Sequence, residues 1–71
     1  MIDYVLKFSL EQEIIVTIIY LKGSVITKRN IQALEIGDNT IKAYCYLRQQ
    51  NRIFKRDNIL SASFCKSRAN V

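Results

Sequence analysis

Ile41-Lys42-Ala43-Tyr44-Cys45-Tyr46-Leu47-Arg48, followed after Gln49-Gln50-Asn51 by Arg52-Ile53-Phe54-Lys55-Arg56-Asp57-Asn58-Ile59, is the stretch on which the fold turns. Side chains along a strand alternate between faces. Ile41, Ala43, Cys45 and Leu47 therefore share a small apolar face, and Lys42, Tyr44, Tyr46 and Arg48 share the other. The two segments read as one β-hairpin with its apolar face on a core. The opposite face sets aromatic rings between cations, which suits planar, negatively charged matter.

The loop between them holds no Asn-Gly or Gly-Gly pair, so a tight two-residue turn is not signalled. A three-residue loop with Asn51 in the left-handed conformation is the preferred reading. It sets Arg48 opposite Arg52, Tyr46 opposite Phe54 and Tyr44 opposite Arg56. Like charges facing each other destabilise a sheet unless an anion lies between them. A two-residue turn instead pairs Leu47 with Phe54 and carries Phe54 into the core.

Outward from the hairpin, the run over residues 14–20 is almost wholly β-branched, the composition of a strand buried on both faces. Gly23 turns the chain, residues 25–29 return as a strand, and residues 31–36 form a third short strand or extend the second. Gly37-Asp38-Asn39 is the clearest turn. Asp57-Asn58 makes another, or one turn of 3₁₀ helix, with Asp57 capping it through backbone N–H groups. Residues 59–64 form the last strand, and residues 66–71 read as a frayed tail. Residues 3–13 suit a short helix capped by Asp3, or an extended segment, lying over one open end of a barrel. Five or six short strands and one helix predict a mainly β fold, a small antiparallel β-barrel.

The chain has 71 residues, 49% hydrophobic and 24% charged, which predicts one folded domain, 1–71. Its start lacks the basic residues and long apolar run of a signal peptide, and residues 14–21 are too short to span a bilayer. No membrane association is expected, and the two cysteines are expected as free thiols in a reducing cytoplasm. Of the charges, residues 39–71 hold seven cations (Lys42, Arg48, Arg52, Lys55, Arg56, Lys66, Arg68) against Asp57 alone. Residues 1–38 hold four cations against five acids. A basic half with interleaved tyrosines is the footprint of a polyanion partner; the plainer alternative is a solubilising surface. The chain contains no histidine, no Cys-x-x-Cys and no paired carboxylates, so no enzyme, metal or cofactor is expected.

Ala43-Tyr44-Cys45-x-Leu47-Arg48 and Arg52-x-Phe54-x-x-Asp57-x-Ile59-Leu60-Ser61-Ala62 resemble the signature of WYL domains. Upstream, Ile18-x-Tyr20, the Gly23 turn, Arg29 and Leu34-Glu35-Ile36 resemble the opening strands of that family, so the resemblance spans about residues 12–64. There are three departures. The tripeptide that names the family falls on Asn39-Thr40-Ile41 without its aromatic residues, Asn58 stands where the family has arginine, and the proline after the second strand is absent. The resemblance implies an Sm-like or SH3-like β-barrel. It also implies a sensor in transcription regulation that binds single-stranded nucleic acid or a nucleotide through basic residues. The chain would be a free-standing bacterial or phage copy, too short for an added helix-turn-helix module. Arg29, Arg48, Arg52 and Tyr44 match family positions, and alternation adds Tyr46. The expected binding residues are thus Arg29, Tyr44, Tyr46, Arg48 and Arg52, on one face. The rival expectations are a protein-interaction or oligomerisation module and an Sm-like RNA-binding ring. In the first, residues 14–20 pair as an edge strand with a host regulatory protein or a second copy.

Overall fold

The computed structural model describes residues 2–65; the expected tail, with Lys66 and Arg68, lies outside the described residues. Helix α1 (Ile2–Gln12) buries Val5, Leu6 and Ser9, which fall on one side of a 3.6-residue period. The helical reading of this segment is the one realised. Glu13, at φ 56°, ends it in the left-handed conformation. Asp3 lies within the first turn rather than capping it.

Five antiparallel strands follow: β1 (Val16–Lys22), β2 (Val25–Ile36), β3 (Thr40–Cys45), β4 (Gln50–Lys55) and β5 (Ile59–Phe64), with a 3₁₀ turn (Arg56–Asn58) before β5. They form one sheet in the order β4-β3-β2-β1-β5. Gly23, at φ 61°, supplies the left-handed residue between β1 and β2. Residues 31–36 extend β2, and a register shift between Ala33 and Glu35 bends it. Where β1 ends opposite Ile31, α1 takes over the uncovered flank of β2: Ser9 Oγ accepts the Ala33 N–H at 3.1 Å and donates to the Ile14 carbonyl at 2.6 Å. The inner face carries the core: Val16, Ile18, Ile31, Ala33, Ile41, Ala43, Cys45, Phe54 and Ile59, closed by Val5 and Leu6.

Four expectations are corrected. First, the mainly β architecture with its N-terminal helix holds, but the sheet is not closed into a barrel: β4 and β5 are its two edges and do not pair. A side chain fills the seam instead, since Tyr20 Oη accepts the Lys55 N–H at 3.1 Å from the free flank of β4. Second, β1 is buried on one face only, with Val16 and Ile18 inside and Thr17 and Ile19 half-buried, because no second layer covers the other face. It is an interior strand between β2 and β5, not an edge.

Third, the β3–β4 register is neither of the two anticipated. Ile41 pairs with Phe54, Ala43 with Arg52 and Cys45 with Gln50, leaving a four-residue loop over residues 46–49. Gln49, at φ 55°, takes the left-handed position expected of Asn51. Phe54 is buried, and Leu47 sits exposed in the loop. Fourth, no side-chain hydrogen bond caps the 3₁₀ turn, so Asp57 does not cap it. Arg56 is tied instead to Asp3 of α1 at 2.6 Å. No helix among the described residues is long and apolar enough to cross a membrane.

Candidate functional site

Residues paired across two strands point to the same side of the sheet. Arg29 pairs with the fully buried Ile18, and Arg52 with the fully buried Ala43, so both arginines emerge on the inner face. Helix α1 covers one end of that face, where its Val5 and Leu6 close the core. At the other end, the protruding β1–β2 hairpin and β4 leave a cleft of about 350 Å³ lined by Tyr20, Lys22, Gly23, Arg29, Arg52, Phe54 and their neighbours Ile53, Lys55 and Asn58. Four of these carry positive charge and none carries negative charge.

The floor is rigid. The Tyr20 and Phe54 rings meet edge to face with centroids 5.0 Å apart, and the Tyr20 hydroxyl is held by Lys55. Arg29 is oriented from within: its Nε donates to Thr27 Oγ1 at 3.3 Å and its Nη1 to Cys45 Sγ at 3.6 Å. Burial pushes the Cys45 thiol up. The Arg48 and Leu47 backbone N–H groups and the Arg29 guanidinium more than offset this and hold it below its ordinary value. The Arg52 side chain is half-buried and makes no hydrogen bond or ion pair among the described residues. Asp3–Arg56 is the one ion pair among those residues, so the four cleft cations face no carboxylate. Half-buried guanidinium groups without a counter-charge favour an anion supplied from outside.

The five expected residues therefore divide. Arg29 and Arg52 come together in the cleft. Tyr44 points to the opposite face, where its ring meets Tyr46 edge to face at 4.8 Å. Tyr46 and Arg48 lie in the β3–β4 loop; the Tyr46 N–H donates to the Asn30 carbonyl at 3.0 Å and its hydroxyl to Gln32 Oε1 at 3.4 Å. Near this loop, Lys28, Asn30, Tyr46 and Leu47 line a shallower hollow. The single aromatic and cationic face is not formed, because the strand alternation of β3 stops at Cys45.

Tyr20, Lys22, Lys55 and Asn58 also line the cleft and are not among the expected binding residues, Lys55 being expected only as part of the basic half. For Lys22 a signal was present, since it shares the parity of Ile18 and Tyr20 along β1. Comparison with protein families, with curated proteins and with solved structures returns no match to this chain.

Proposed function

We propose that this chain is a non-catalytic regulatory module of the WYL type, acting in the cytoplasm in transcription regulation, that binds single-stranded nucleic acid or a nucleotide. One observation carries the reading: among the described residues, four cations and no carboxylate line a cleft that includes two of the residues matched by the family resemblance, Arg29 and Arg52. The five antiparallel strands and N-terminal helix agree with the architecture that resemblance implies, apart from closure.

The test is fluorescence anisotropy of a labelled single-stranded DNA, titrated across salt concentrations. Each phosphate contact adds about −0.7 to the slope of log affinity against log salt, and Lys22→Ala with Arg52→Ala is expected to flatten that slope. Binding with an unchanged slope in that double variant refutes the cleft as the site.

The open sheet favours a second reading, an interaction module. Among the described residues, β4 and β5 have no strand neighbour on their outer edges, where a partner or a second copy can pair. Sedimentation at rising protein concentration separates the two: a monomer that binds oligonucleotides supports the first, and a defined oligomer indifferent to them the second.

A further inference from the structure

The cleft is rich in charge, and the two aromatic rings that line it pack against each other. Phe54 is 4% exposed, and the Tyr20 ring stands perpendicular to it with its hydroxyl engaged. The tyrosine pair that could hold a base, Tyr44 and Tyr46, belongs to the opposite face and the loop. The donors, by contrast, are numerous. Arg52 offers its whole guanidinium fork, and Arg29 keeps Nη2 after its bonds to Thr27 and Cys45. Lys22 and Lys55 add two ammonium groups, and the Asn58 side chain lines the same space.

A nucleic-acid strand carries one negative charge per nucleotide, with a sugar between successive phosphates. A cleft of about 350 Å³ admits little more than one such unit. Linked phosphates deliver several charges within the same space, and bidentate guanidinium forks match their oxygens.

Resting on the cleft being the ligand site, we propose that what it recognises is a run of adjacent phosphates and that it does not read a base. The chemical class is a polyphosphate anion, free or as the tail of a nucleoside triphosphate. Charge then sets affinity and the nucleoside is a passenger.

Isothermal titration calorimetry in magnesium-free buffer tests this with inorganic triphosphate, ATP, CTP, AMP and adenosine as probes. Triphosphate, ATP and CTP are expected to bind within about threefold of one another. AMP is expected to bind about tenfold or more weaker, the scale of one lost charge-assisted hydrogen bond, and adenosine not at all. Triphosphate binding that matches ATP assigns recognition to the phosphates alone; ATP binding without triphosphate binding overturns the inference.

The exposed Lys22→Ala and the half-buried Arg52→Ala are each expected to weaken triphosphate by about tenfold, with the thermal melt confirming a folded protein. Unchanged triphosphate affinity in both folded variants overturns the inference. So do ATP and CTP affinities differing by more than about tenfold, or single-stranded DNA binding without any triphosphate binding. These last two leave the nucleic-acid or nucleotide reading standing. Absence of binding to every probe and to DNA overturns both.

Discussion

Replacing Ser9 by alanine removes one oxygen and strands two backbone groups. Ser9 is fully buried, its hydroxyl accepting the Ala33 N–H at 3.1 Å and donating to the Ile14 carbonyl at 2.6 Å. The hydroxyl stands where β2 has run past the end of β1, so no strand can replace it. The Ala33 N–H is buried and forfeits its bond outright, while the Ile14 carbonyl is partly buried and regains some hydration. An orphaned buried group costs about 1–3 kcal/mol, so the pair sums to about 2–4 kcal/mol. A domain of this length has about 4–10 kcal/mol of stability in all.

The variant should therefore lose a large fraction of its stability, with Tm falling by about 10–25 °C. The chain has no tryptophan, so urea unfolding followed by far-ultraviolet circular dichroism is the suitable assay. The midpoint should drop with little change in slope. Thr17→Ala, which deletes the exposed Thr17–Asn30 hydrogen bond of 2.8 Å, is the comparator and should stay within about 0.5 kcal/mol. If Ser9→Ala also stays within that range, the hydroxyl does not substitute for the missing strand neighbour and the argument fails.

Three further outcomes are expected. Tyr20→Phe keeps the ring against Phe54 but leaves the Lys55 N–H to water, costing about 0.5–1.5 kcal/mol, whereas Tyr20→Ala also loses the edge-to-face pair and should cost clearly more; equal losses in the urea assay would refute the division of roles. Gly23→Ala meets no atom within 4 Å, so its cost is the left-handed backbone alone, about 1–2 kcal/mol; a larger loss would point to a clash the structure does not contain. The Arg56 guanidinium holds the Asp3 carboxyl below its ordinary value near 3.8, so this pair's contribution is fully present above that value and disappears as pH falls through the lowered one. Melting wild type and Asp3→Asn from pH 6 downward should show a small gap that closes in acid, and a gap that widens would contradict the sign.

Much of the fold was legible because composition and parity act locally. The β-branched run marked β1, Gly23 marked the first turn, and Ile41, Ala43 and Cys45 fell inward as alternation requires. What escaped depends on where a strand stops and what returns to it. No Asn-Gly pair announces a four-residue loop with Gln49 left-handed, so alternation carried past Cys45 assigns Tyr46, Leu47 and Arg48 faces they do not have.

The three-residue-loop register likewise sets both Arg52 and Phe54 on the tyrosine face, whereas the observed pairing puts both on the inner face. That residues 14–20 form an interior strand follows from β5 pairing with β1, a distant event that no local pattern encodes. Ser9 gave no signal either: a serine in a helix is unremarkable until the strand it completes is known.

The pairing order also has a temporal side. β1 meets β2, β2 meets β3 and β3 meets β4, each a neighbour along the chain, so these hairpins form over short loops. β5 alone must travel back, setting Phe64 opposite Val16 and placing the last strand beside the helix that begins the chain. Until β5 docks, the outer flank of β1 lacks its strand neighbour, and that is the stage of folding at which the chain is most open to capture by another chain.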